Sequence, residues 1–482
     1  MKNSYESYGL FIDGAWRPAK DGATLEVIDP ATEEPIGSIP RATPADIEDA
    51  LQAAARGFET WKRVPPFDRS EVLQKLAGAL RDQLEEAAKL MSRETGKPVG
   101  EARAELGAAA EQFEWYAEEA KRIYGHTLDG RDTGTRLQVR YSPVGPVAAF
   151  AAWNFPALLP ARKIAAALAA GCSVVMKPSE EAPGSTFFFV QASKAAGLPN
   201  GALNIVVGDP PQISAQCLES PIIRKVSFTG SVKVGREIMM RAAQGLKKVS
   251  LELGGHGPVL VFEDADAEEA AQLCLRSKYR NAGQVCASPA RFYVHAAKYD
   301  AFSKAFAEGA KRIVVGPGSD PGVQMGALSN ARGLERAKQL VADALSQGSE
   351  LLAGGGPPEG FKRGFFFAPT VLGKVPDTAR IMQEEPFVPV APISAFETFD
   401  EVIRRANSVP YGLAGFVFTR SLSTATRASE ALEVGMVGVN DLLLSTVEMP
   451  FGGVKSSGMG REGGRLGILD YLEPKYTKLR LE

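Results

Sequence analysis

The amino-acid sequence predicts an α/β protein with a helical opening and two successive runs of strands alternating with helices. Three observations carry this. Residues 44–124 are alanine-rich with apolar residues at helical spacing, as in Val72, Leu73, Leu76, Leu80 and Leu84. From residue 147 short apolar runs alternate with helical ones, the pattern of parallel βαβ units. The same alternation resumes after Leu253, which makes a second α/β domain the economical reading.

In chain order, the first run consists of an apolar strand at 147–152, a helix at 157–170, an apolar strand at 173–176 and a helix at 185–196. Strands at 203–207 and 225–228 complete it. The second run has a strand at 291–295, a helix at 301–312 and a strand at 412–418. Two alternating polar–apolar segments, 136–141 and 476–481 after Pro474, fit neither core. They read as strands in search of a partner edge, one in another subunit included. The glycine-rich stretch 354–358 interrupts only briefly and no repeat occurs, so the domains are expected to interleave.

The length of 482 residues suits about three domains, and 45% hydrophobic residues suffice for a core in each. With 55 basic against 57 acidic residues and no basic block, neither nucleic acid nor a membrane surface is an expected partner. Cys172, Cys217, Cys274 and Cys286 show no CxxC pairing, as expected of free thiols in a reducing compartment. The first residues lack an apolar signal core, and the longest apolar stretch, 164–176, is far short of the ~20 residues that span a bilayer, so the expected location is the cytoplasm. The three histidines are far apart and in no ligand motif, and no metal site is expected.

Several short segments could carry chemistry. Cys286 follows Arg280-Asn281-Ala282-Gly283-Gln284-Val285, a glycine-containing polar stretch suited to a loop that exposes a nucleophilic thiol. A buried free cysteine is the alternative there, and it is the reading preferred for the other three. Glu252 lies inside an apolar strand before Gly254-Gly255, which are read as a sharp turn. A carboxylate so placed has a raised pKa and suits a general base, and a solvent-facing strand end is the alternative. Gly230-Ser231 ends an apparent strand and opens a helix, where free amides attract phosphate, although an ordinary strand-to-helix turn looks the same. The Asn154 amide, in Trp153-Asn154-Phe155-Pro156, suits an oxyanion donor or a simple packing turn.

Taken in order, Trp153-Asn154-Phe155-Pro156, Lys177-Pro178-Ser179-Glu180, Phe228-Thr229-Gly230-Ser231, Glu252-Leu253-Gly254-Gly255, Gly283-Gln284-Val285-Cys286, Glu385-Pro386-Phe387 and Pro450-Phe451-Gly452-Gly453 resemble the aldehyde dehydrogenase superfamily over nearly the whole chain. The resemblance implies a Rossmann-like NAD-binding domain (1–125 and 144–253), a catalytic α/β domain (254–466) and a small β oligomerisation element (126–143 and 467–482), in a homodimer or homotetramer. It implies that the Cys286 thiolate attacks an aldehyde and that Asn154 and the Cys286 amide hold the oxyanion. After hydride transfer to the nicotinamide, water activated by Glu252 hydrolyses the thioester, with Lys163 and Glu462 assisting. Because Glu252 is present, the CoA-acylating branch is disfavoured. The cofactor residues implied are Trp153, Lys177, Glu180, Gly230, Ser231, Glu385 and Phe387. A carboxylate at Glu180 favours NAD, with NADP as the alternative.

Arg162, Arg280 and Ser445 coincide with the carboxylate-binding set of the succinate-semialdehyde dehydrogenase branch, and residues 450–464 are also similar to it. The implied substrate is an ω-carboxylated semialdehyde such as succinate semialdehyde, with the α-ketoglutarate and glutarate homologues as alternatives. Structural ion pairs are the other reading of the two arginines. A cysteine-dependent esterase and a non-catalytic binding protein on the same scaffold are the rival classes. Three departures from the family pattern stand out: Ala152 before Trp153, Ala287-Ser288 with no second cysteine beside the nucleophile, and Val388 after Phe387. The last is expected to set a branched side chain near the nicotinamide.

Overall fold

The computed structural model describes residues 5, 6 and 8–481. Residues 1–4, 7 and 482, which fall within the segments expected to form the outer domains, lie outside the described residues, as does most of the stretch read for a signal core.

Four helices, Pro44–Trp61, Pro66–Asp82, Leu84–Thr95 and Val99–Ala120, form the helical opening. Thr43 caps the first with a reciprocal hydrogen-bonded pair to Asp46, which satisfies amides that a helix start leaves free. Leu73, Leu76 and Leu80 turn inward to the core they share with the long apolar helix Leu158–Ala170. In the helix Val99–Ala120, Phe113 and Tyr116 do the same.

An eight-stranded sheet follows the order Gly458–Met459, Lys248–Glu252, Lys225–Thr229, Val147–Phe150, Val174–Lys177, Leu203–Ile205, Leu10–Ile12, Ala15–Arg17. Its five central strands are parallel, joined by helices as the alternation predicts, and antiparallel strands close both edges. Strand Gly458–Met459 comes from far along the chain and pairs beside Glu252. A seven-stranded sheet has at its centre the parallel strands Val390–Phe396, Pro289–His295, Gly257–Val261 and Ala414–Phe418. Among the described residues, no helix is long and apolar enough to cross a membrane.

The two orphan strands find each other. Leu472–Arg480 pairs antiparallel with Thr135–Pro143 over their whole lengths, and His126–Asp129 adds a third strand. The expectation of a partner edge for each is therefore met within the chain. The tail strand also begins before Pro474, which sits opposite Tyr141 in an edge strand, where a missing N–H is tolerated.

Candidate active site

The carboxyl ends of the first sheet's strands and the loop before strand Pro289–His295 meet at a cleft of about 430 Å³. Trp153, Asn154, Gly230, Ser231, Glu252, Cys286, Glu385 and Phe387 all line it. Residues from Trp153 to Phe387 thus converge, because parallel strands end together at one edge of the sheet.

Cys286 is half-buried, whereas Cys172, Cys217 and Cys274 are fully buried with thiols raised by desolvation, to about 11 for Cys172 and about 12 for Cys217. Its loop is built on three successive left-handed residues, Asn281, Ala282 and Gly283, at φ 49°, 53° and 76°. Side chains hold this conformation: Asn281 N–H donates to Glu101 Oε2 at 2.9 Å, and Gln284 Nε2 donates to the Asn281 carbonyl at 2.9 Å. Burial pushes the Cys286 thiol well above its usual value, and the facing Glu252 carboxylate pushes it further.

Glu252 ends strand Lys248–Glu252 and is 2% exposed. Desolvation first, then the neighbouring Glu462 charge, raise its pKa to about 7, against a smaller opposing effect of the Cys286 thiol. Both its carboxylate oxygens are buried without a partner at ordinary hydrogen-bond geometry. Gly254 and Gly255 do not make the turn through positive φ, as the sequence suggested. They are needed for space. A Cβ on Gly254 would come within 2.2 Å of Glu385 Oε2, and one on Gly255 within 2.4 Å of the Cys286 carbonyl oxygen.

Asn154 is buried, and its Nδ2 donates to the Gln284 carbonyl at 3.0 Å. One of the two amide protons is thereby fixed and the other left for a ligand. Lys163, fully buried, donates to Thr229 Oγ1 at 2.7 Å and is ion-paired with Glu462. Thr229 is the register neighbour of Glu252, so this pair stands directly behind that carboxylate.

On the nucleotide side, Ser231 caps helix Val232–Gln244 by accepting from Val234 N–H at 3.3 Å, and Val232 and Lys233 of its first turn line the cleft. First-turn amides and the helix dipole suit a phosphate there. Glu385 Oε1 accepts from Gly255 N–H at 3.0 Å, and burial raises the carboxyl to about 7. Phe387, at φ +54°, meets Trp153 edge-on with ring centres 5.6 Å apart. Val388 does not intrude as expected, since the left-handed turn at Phe387 sends it into the core of the second sheet, fully buried. Lys177 and Glu180 form an ion pair at the end of strand Val174–Lys177, outside the cleft lining.

Arg162 and Ser445 come together from opposite ends of the chain. Arg162 Nη2 donates to Ser445 Oγ at 2.6 Å, its guanidinium lies 4.1 Å from the Phe451 ring centre, and its Nε is buried without a partner. Arg280 is not part of that hydrogen-bonded pair; its guanidinium lies 5.2 Å from the Phe155 ring centre, beside the turn carrying Asn154. Arg336 and Tyr411 also line the cleft, and Arg336 Nε donates to the Pro386 carbonyl at 3.1 Å. Nothing local in the sequence marks these two, because their place depends on the packing of the second sheet.

The chain matches the aldehyde dehydrogenase family over residues 16–477 and belongs to it. It is an aldehyde dehydrogenase, of a family that uses NAD or NADP. It is 41% identical over 466 residues to glutarate-semialdehyde dehydrogenase of Pseudomonas putida, covering 97% of this chain and 96% of that protein. It is 40% identical over 470 residues to succinate-semialdehyde dehydrogenase (NADP(+)) of Escherichia coli, covering 98% and 97%. The crystal structure of succinate-semialdehyde dehydrogenase from Burkholderia pseudomallei is similar with a TM-score of 0.97 at 40% identity, covering 100% of both chains.

Proposed function

We propose that this enzyme oxidises an aldehyde bearing a distal carboxylate to the diacid, with succinate semialdehyde as first choice and its glutarate and α-ketoglutarate homologues as alternatives. The observation that carries the reading is Arg162, a buried guanidinium with an unpartnered Nε and Ser445 on its Nη2. A buried cation with a free donor calls for an anionic acceptor, and a carboxylate accepts two parallel bonds from it. Arg280 is the second cation of the clamp. The names of the relatives, which include succinate- and glutarate-semialdehyde dehydrogenases, support this choice.

In the proposed mechanism Glu252, with its pKa near neutrality, takes the thiol proton as Cys286 sulfur bonds to the aldehyde carbon. The free Nδ2 proton of Asn154 and the Cys286 N–H stabilise the oxyanion. Nicotinamide, when bound, supplies the hydride acceptor that the oxidation requires. Once that proton has passed on towards Lys163 and Glu462, Glu252 removes a proton from water, whose oxygen attacks the Cys286 thioester and expels the thiolate, giving the acid. Lys163 and Glu462 orient that base and relay its proton.

The nucleotide would be held by Gly230 and Ser231 at its phosphates, Lys177 and Glu180 at the adenine ribose, and Glu385, Phe387 and Trp153 at the nicotinamide end. NAD is the proposed cofactor, because Glu180 repels an added phosphate; that an Escherichia coli relative is named for NADP makes the alternative concrete. We further propose the division into a nucleotide-binding domain (1–125, 144–253), a catalytic domain (254–466) and an oligomerisation element (126–143, 467–482). That element's exposed edge strands, His126–Asp129 and Leu472–Arg480, would join a homodimer or homotetramer in the cytoplasm.

The test is NAD reduction with succinate, glutarate and α-ketoglutarate semialdehydes against uncharged butanal, for the wild type and Arg162→Leu. The expected result is preference for one acidic aldehyde and, in the variant, a KM raised at least tenfold for that substrate but little changed for butanal. Equal effects on both would make Arg162 structural and retire the carboxylate site.

A further inference from the structure

Lys97 and Glu105 form an ion pair that is almost wholly buried, with side chains 1% and 0% exposed and Nζ 2.5 Å from Oε2. Among the described residues, the remaining hydrogen bonds of the two side chains all end on one short segment. Lys97 Nζ also donates to the Asn154 carbonyl at 2.8 Å and lies 4.5 Å from the Phe155 ring centre. Glu105 Oε1 accepts the amides of Ala157 at 2.8 Å and Leu158 at 3.2 Å. The pair therefore grips residues 154–158, the turn between strand Val147–Phe150 and helix Leu158–Ala170.

That turn is also tied to the nucleophile loop. The Asn154 carbonyl that receives Lys97 receives Asn281 Nδ2 as well, at 2.9 Å, and the Asn154 side chain donates to Gln284. Lys97 is itself clamped from the other side: a Cβ on Gly318 would come within 2.2 Å of its carbonyl oxygen, and Ser92 Oγ donates to that oxygen at 2.7 Å. A charged pair held so completely is an expensive way to fix a turn, since a hydrophobic pair often does as well. What it adds is direction, because a cation and a carboxylate fix carbonyl and amide orientations that apolar packing leaves loose.

We propose that Lys97 and Glu105 are positioning residues of the active site, which set the Asn154 amide against Cys286 and so aim the oxyanion donor. The inference rests on the reading of Asn154 as that donor. Neither residue touches the reacting atoms, and their effect passes through the residue 154–158 turn.

The experiment is a double-mutant cycle on the whole enzyme between Asn154→Ala and the paired change Lys97→Met/Glu105→Gln, which removes both charges together and leaves none uncompensated. The readout is the pre-steady-state burst of reduced nucleotide, with nucleotide affinity measured in parallel. Removal of one oxyanion donor slows acylation by about 10²–10³-fold, and loss of its aim is expected to slow it by about 10–100-fold. Nucleotide affinity should stay within about twofold, and in the Asn154→Ala background the paired change should slow the burst no further. Glu105→Asp, which keeps both charges but withdraws the carboxylate by one methylene, carries the same comparison if the paired variant does not fold. Independent, multiplicative losses would overturn the positioning role, as would a burst unaffected by either change at the pair. An unaffected burst in Asn154→Ala alone would instead overturn the oxyanion assignment on which it rests.

Discussion

Replacing Glu252 with Gln separates the catalytic role proposed for this side chain from its effect on stability, and the two expected effects have opposite signs. Burial and the Glu462 charge hold the Glu252 carboxyl at about 7 against an ordinary 4.5, a gap of about 2.5 pH units. At about 1.36 kcal/mol per unit, ionising it in the folded protein destabilises by roughly 3 kcal/mol. A carboxyl whose pKa rises on folding holds its proton longer in the folded state. Stability is therefore undiminished below about pH 4.5, falls as pH rises through about 7, and is level above. Glutamine has nearly the shape of the protonated acid and no charge to lose, so Glu252→Gln should match the wild type near pH 4.5 and exceed it by about 3 kcal/mol at pH 8. Apparent unfolding midpoints in urea at the two pH values measure this. The same variant should slow the burst of reduced nucleotide, because the thiol loses its proposed proton acceptor, and slow thioester hydrolysis more, lowering steady-state turnover by about 10²–10⁴-fold. The wild-type rate should rise as pH increases through about 7, and the variant should lack that limb. Parallel stability profiles for the two proteins, or wild-type turnover in the variant, would refute the assignment of Glu252 as a buried base.

Two further outcomes are expected. Gly255→Ala places a methyl group 2.4 Å from the Cys286 carbonyl oxygen and 3.0 Å from Leu413 Cβ, so the nucleophile loop must move; overpacking of this kind costs about 1–3 kcal/mol, and displacing the thiol should lower kcat by up to about 10²-fold, read by thermal unfolding and steady-state kinetics. Glu180→Gln frees Lys177 from its ion pair and removes a negative charge, so the proposed preference for NAD over NADP should fall by about tenfold in kcat/KM, and an unchanged ratio would show that Glu180 does not face the ribose.

Much of the fold was legible because periodicity reports burial directly. The run 157–170 is apolar but for Arg162 and Lys163 and becomes the helix Leu158–Ala170, buried on all sides, and apolar 173–176 becomes the central strand Val174–Lys177, shifted by one residue. The helix expected at 301–312 is longer, Ala296–Lys311, because the His295 side chain caps it five residues earlier by accepting from Ala297 N–H. Strand Gly458–Met459 has no such signal, since two residues carry no period and its pairing with Leu251 and Glu252 exists only in the folded sheet.

The sequence by itself determined the chemistry available: one thiol in a glycine-bearing polar loop, one carboxylate inside an apolar strand, one asparagine after a strand, and a family resemblance that runs the length of the chain. It also indicated which cysteines are buried, because apolar surroundings are visible locally. Only the tertiary structure decided which groups act on one another. It aimed Val388 into a core instead of the cleft, assigned Gly254 and Gly255 to close approach instead of a turn, and paired the two orphan strands with each other. It also put Lys97 and Glu105 behind Asn154, a relation no spacing reveals. The physical reason is common to all of these: side-chain direction and charge interaction depend on separations of a few ångströms between residues far apart in sequence, which packing sets and local pattern does not encode.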